Sequence, residues 1–67
     1  MKTEYAFFIY LLERYAEYHN RPTPDVLQQW DDLGITQRIL EMYEQYHSER
    51  LQNTFDDIDA MIAEWEK

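Results

Sequence analysis

The sequence predicts an all-α fold: a compact four-helix array with an aromatic-rich first helix at its centre. Three observations carry this. Apolar residues recur at helical spacing through four segments. The punctuation between them consists of helix stops and starts, among them the single glycine and the two prolines. No segment alternates apolar and polar residues as a half-buried strand does. The predicted helices span about residues 4–20, 24–33, 37–49 and 55–66.

The first helix opens at Thr3, a suitable N-cap, with Glu4 beside the positive end of the helix dipole. The run from Tyr5 to Leu12 is entirely apolar or aromatic. It is too short to cross a bilayer, which takes about 20 such residues. Wound as a helix, Tyr5, Phe8, Ile9, Leu12, Tyr15 and Ala16 share one face, and Phe7, Leu11 and Tyr18 widen it. The apolar arc reaches roughly 200°, twice the ~100° stripe of an ordinary surface helix. Glu13, Arg14 and Glu17 mark the wet side. Such a helix is central in a bundle or shared with a partner. His19 lies in its last turn, where the dipole favours positive charge. Asn20-Arg21-Pro22 ends it, because proline disfavours helical geometry at the residue before it.

Thr23-Pro24-Asp25 is a start signal, with Thr23 as cap, proline at the first helical position and an acid at the dipole. Val26, Leu27, Trp30 and Leu33 form the apolar face. Gly34 then fits the left-handed residue of a Schellman stop, with Ile35 folding back on Trp30. Thr36 caps the third helix, whose inward face is Ile39, Leu40, Met42, Tyr43 and Tyr46. Residues 51–53 connect, and Thr54 with Asp57 resembles a capping box at the start of the fourth helix. Phe55, Ile58, Met61, Ile62 and Trp65 face inward there. Residues 1–67 make one domain, without repeats or low-complexity segments.

A 67-residue chain buries only ~60% of its unfolded surface, so its stability is marginal without reinforcement. With no cysteine, a disulfide, a thiolate nucleophile and a cysteine metal cage are excluded, which agrees with a reducing cytoplasm. Two Trp, six Tyr and three Phe supply extra apolar burial instead. Met1-Lys2-Thr3-Glu4 lacks the repeated positive charge of a signal peptide, and no small-residue cleavage site follows the apolar run. The net charge of −8 is unevenly placed: residues 1–22 balance, while 23–50 set two arginines against six acids and 51–67 set one lysine against five. Nucleic acid and anionic membrane are repelled by such a surface, and a basic protein is attracted.

The chemistry-bearing constellations are sparse. A helix-turn-helix over residues 24–48 lacks the basic recognition helix that DNA needs, since Glu41, Glu44 and Glu49 follow Gln37 and Arg38. Asp56-Asp57-x-Asp59 lacks the spaced ligands and loop glycine of a calcium site, and acids are ordinary at a helix start. His19 and His47 have no helical partner at zinc-ligand spacing. Glycine-rich phosphate loops and Ser-x-Gly elbows are absent. The sequence therefore points to no catalytic, cofactor-binding or metal residues and to no enzyme. Phe7, Tyr10 and Tyr18 lie at the edges of the first helical face; they either lie flat on the surface or form an interface, where aromatics are enriched.

From Asp25 onward the chain resembles a family of small bacterial domains of unknown function. The shared features are Trp30 with Gly34-Ile35, the Tyr43-x-x-x-His47 helix and the Asp57-Ile58 pair, together with the apolar region around Phe8-Ile9 and Leu12-Glu13. One departure is the loop Ser48–Asn53, which has no glycine. The resemblance implies relatives encoded beside ADP-ribosyltransferase-type toxins, and hence an antitoxin-like or accessory binder. Tyr43 and His47 are one helical turn apart, and Asp57 is placed to accept a hydrogen bond from either, joining the last helix to the third. A His–Asp pair without a nucleophile has no reaction to run, which makes this set structural. The leading expectation is a protein-interaction module binding a basic partner through Glu41, Glu44, Asp56 and Asp59, with Phe7, Tyr10 and Tyr18 as further contacts. The alternatives are a homodimer through the aromatic face of the first helix, and a nucleic-acid mimic with carboxylates spaced like phosphates.

Overall fold

The computed structural model describes residues 3–66. They form five helices: α1 (Thr3–Tyr18), α2 (Thr23–Leu33), α3 (Thr36–Glu41), α4 (Tyr43–Tyr46) and α5 (Leu51–Trp65). No described residue lies in a strand. The radius of gyration, 11.1 Å, matches the about 11 Å expected of a compact chain of this length. No helix among the described residues is long and apolar enough to cross a membrane.

Two residues in left-handed geometry set the first two corners. Gly34 has φ of 74°, and the amides of Gly34 and Ile35 return to the carbonyls of Asp31 and Trp30. That is the Schellman stop expected from the sequence, and Ile35 is fully buried behind it. Asn20, with φ of 54°, does the same for α1: the amides of Asn20 and Arg21 return to Glu17 and Ala16. Asparagine is among the few side chains that tolerate this region. Pro22, extended at ψ of 138°, then caps α2 with its carbonyl, which accepts from Asp25 and Val26. Thr23 is therefore already helical rather than the expected cap. Likewise Ile35 stands at the cap of α3, and the Thr36 hydroxyl turns back to donate to the Asp31 carboxylate.

The expected single third helix is two. Met42, at ψ of 12°, interrupts it, and its amide bonds to the carbonyl three residues back, at Ile39. The second piece ends at Tyr46 rather than near residue 49. The last helix starts four residues earlier than expected, at Leu51 behind the extended Arg50. The reason is visible in the apolar period: Leu51 lies one turn before Phe55 and is half-buried against the same core. Thr54 is accordingly no cap. It sits fully buried inside α5, with its hydroxyl unpartnered.

The core consists of Leu11, Leu12, Tyr15 and Ala16 of α1, Val26 and Trp30 of α2, and Ile35, Ile39, Tyr46, Phe55, Ile58 and Ile62. α1 packs against α2, α3 and α4, and reaches α5 through Tyr15 and Tyr18. Its central position holds for its C-terminal half only. Phe7 and Phe8 are half-buried, whereas Tyr5 and Ile9, expected on the inward face, stay about half exposed. The buried face of α1 centres on Phe8, Leu11 and Tyr15, and Ile9 lies about 100° round the helix from Phe8, at the edge of that face. Trp65, also expected inward, is 48% exposed at the end of α5.

Candidate functional site

α5 is held between its neighbours by two carboxylates on opposite flanks. Asp57 and Asp59 are two residues apart, close to opposite sides of the helix at 3.6 residues per turn. Asp57 accepts the Tyr46 hydroxyl at 2.7 Å. Asp59 accepts the Tyr15 hydroxyl at 2.6 Å and the His19 Nε2 proton at 3.1 Å. One aspartate thus joins α5 to α4 and the other joins it to α1. Burial and the adjacent carboxylate both push the Tyr15 and Tyr46 phenols well above the usual phenol range, burial being the larger cause. Both phenols remain protonated donors at neutral pH and offer no base to a reaction.

The expected Tyr43–His47–Asp57 set is not assembled. Asp57 takes Tyr46 instead. His47 stacks flat on Tyr43, with ring centroids 4.4 Å apart and planes within 2°, and its Nδ1 donates to the Tyr43 carbonyl at 2.7 Å. Tyr46 faces α5 from α4, while Tyr43 turns toward Phe7 of α1. The Phe7 ring meets this stack edge-on, 5.6 Å from Tyr43 and 6.4 Å from His47. Phe7 is thereby engaged inside the domain, joining α1 to α4.

The other residues singled out in the sequence are dispersed. Tyr10 is half exposed, with the Arg14 guanidinium 5.8 Å from its ring centre. Tyr18 lays one face on Phe55 at 4.9 Å, and its hydroxyl accepts from Gln52. Glu41 and Glu44 are exposed, as is Asp56, which accepts from Gln52 one turn earlier. Asp59 is committed to Tyr15 and His19, so it belongs to the scaffold more than to an open acidic face. Sequence reasoning missed the Tyr15–His19–Asp59 cluster. Its signal was the one-turn spacing of Tyr15 and His19 on a helix, with their ring centroids now 4.5 Å apart.

Three surface depressions accompany these features. One of about 210 Å³ lies between the start of α1 and α3, lined by Tyr5, Leu40 and Glu41 among others. A second of about 210 Å³ lies between α3 and α5, where Met42, Met61 and Trp65 meet Arg38, Asp57 and Glu64. The widest, about 480 Å³, is a polar hollow between α2 and the end of α5. Among the described residues no three His, Asp or Glu side chains are grouped to hold a metal ion.

Comparison with curated proteins and with solved structures finds no significant match. A family model described as "Protein of unknown function (DUF3791)" matches residues 6–65, nearly the whole of the helical domain. The chain belongs to that family.

Proposed function

We propose that the domain is a non-enzymatic protein-interaction module of the cytoplasm, whose acidic surface on α3, α4 and α5 takes a basic protein partner. One observation carries this reading. Glu41, Glu44, Glu49, Asp56 and Asp57 are all exposed, and among the described residues none has a Lys, Arg or His side chain within ion-pairing distance. Among the described residues, the Arg14–Glu17 ion pair and the His19–Asp59 hydrogen bond leave this face untouched. A cationic surface relieves the repulsion among these carboxylates and is steered toward them. An antitoxin or accessory role beside an ADP-ribosyltransferase-type enzyme is the specific form that the family resemblance implies.

The test is affinity capture from the host at about 50 mM salt, where exposed charges act over more than 10 Å, followed by washing at about 0.5 M. The expected result is one defined basic protein that is released by salt. Salt-insensitive capture removes the electrostatic claim. A second reading rests on Tyr5, Ile9 and Tyr10, each about half exposed on the first turns of α1. They suit a homodimer contact. Sedimentation at micromolar concentration separates the two readings, because a strict monomer excludes the dimer.

A further inference from the structure

We propose that the groove between α3 and α5 docks a basic amphipathic helix of the partner, with Trp65 as its anchor. This rests on the reading of the domain as a binder of basic protein and adds the place and the form of the contact. Trp65 is 48% exposed, whereas Trp30 is sealed in the core. Beside Trp65, Met61 of α5 and Met42 at the α3–α4 break are half-buried, and Ala60 leaves the groove floor open. The recess, about 210 Å³, falls below the roughly 300–1,000 Å³ of small-molecule sites but admits one anchoring side chain. Unbranched methionines repack around whatever enters.

The positions favour a helical occupant. Asp57, Ala60, Met61 and Glu64 recur at three, four and seven residues along one flank of α5. Ala60 and Met61 thus lie between two carboxylates, which an amphipathic helix matches with an apolar stripe edged by cations. Charge selects the kind of helix. Asp57 and Glu64 rim the groove, and Arg38 is the one cation that lines it among the described residues. A second copy of this chain would bring the same net charge of −8 to an acidic rim. A helix edged with Lys or Arg meets complementary charge instead.

The full chain is titrated at low salt with a synthetic leucine–lysine amphipathic peptide, with a leucine–glutamate peptide as control, while tryptophan emission is followed. Because Trp30 is buried, the change reports Trp65. The expected result is a blue shift with the lysine peptide alone, lost in Trp65→Phe. Ala60→Glu is the decisive variant. It is exposed, glutamate is a good helix former, and the change adds negative charge while filling the groove. Groove docking predicts about tenfold weaker binding for Ala60→Glu, and weaker binding for Glu64→Lys, with Glu13→Lys on α1 unchanged. Equal or tighter binding by Ala60→Glu shows diffuse charge attraction and overturns the proposal. So does a Trp65 shift that grows with protein concentration without peptide, which assigns the groove to a second copy. A basic host protein captured equally by Ala60→Glu would sink the groove and leave the module reading standing.

Discussion

Replacing Tyr15 with phenylalanine removes one hydroxyl and leaves the ring where it is. That ring keeps its edge contacts with Trp30 at 5.3 Å and Phe55 at 5.7 Å. What is lost is the 2.6 Å bond to Asp59, one of the polar ties between α1 and α5. A hydrogen bond to a charged acceptor contributes about 1.5–3 kcal/mol when its loss strands the partner. The Asp59 side chain is 40% exposed, so water replaces the missing donor, and His19 still donates to it. The cost should therefore fall at about 1–2 kcal/mol. For a domain of this size that lowers Tm by about 4–16 °C. Calorimetry of wild type, Tyr15→Phe, Asp59→Ala and the double variant closes the cycle, with an expected coupling of about 1 kcal/mol. A Tyr15→Phe protein that melts with wild type, or a coupling near zero, refutes the account of how α5 is held.

The companion substitution Tyr46→Phe should cost a similar amount, and the two should add, because their carboxylates lie on opposite flanks of α5; strong non-additivity in urea midpoints would contradict two independent ties. Both phenols titrate above their ordinary value of 10.0 in the folded chain, so their stabilisation is complete below that pH and is lost progressively above it. The urea midpoint should accordingly fall from about pH 10 upward, and fall less in Tyr15→Phe/Tyr46→Phe. Gly34→Ala meets no atom within 4 Å of the added carbon, yet places alanine at φ of 74°, so a loss of about 1–2 kcal/mol should come from backbone strain alone. Asn20→Gly, at the matching corner, should be neutral or mildly stabilising in the same melting assay. Ile58→Ala, at a fully buried site, should cost about 2–5 kcal/mol and leave a protein partly unfolded at 37 °C by circular dichroism.

The features that a sequence states locally were legible. Gly34 and the two prolines mark corners because few other residues suit those backbone angles, and the corners stand where those residues lie. The apolar spacing also located most of the core, from Leu12 and Tyr15 through Trp30 to Ile58. What failed depends on neighbours. Nothing in Met42 itself breaks a helix, so the split between α3 and α4 has no local signature. Leu51 lay between two polar stretches and read as a connector until the core that half-covers it was known. Tyr5, Ile9 and Trp65 satisfy the helical period yet lie about half exposed, because where neighbouring helices pack decides which part of an apolar arc is covered. The pairing of Asp57 with Tyr46 rather than with Tyr43 or His47 goes with the packing of those two rings against Phe7 of α1, which local spacing does not state. The acidic composition was plain in the sequence, but not that Asp59 serves the scaffold while Glu41, Glu44 and Asp56 have no cation within ion-pairing distance among the described residues.

Amide hydrogen exchange, resolved residue by residue in the free protein, tests most directly whether the C-terminal half of α1 is the axis of the domain. The buried turn from Leu11 to Ala16 should exchange only through global unfolding and should rank with Trp30 and Ile58 as the slowest in the chain, while Tyr5 to Ile9 exchange orders of magnitude faster. Exchange from Leu11–Ala16 as rapid as from Tyr5–Ile9 would contradict the account.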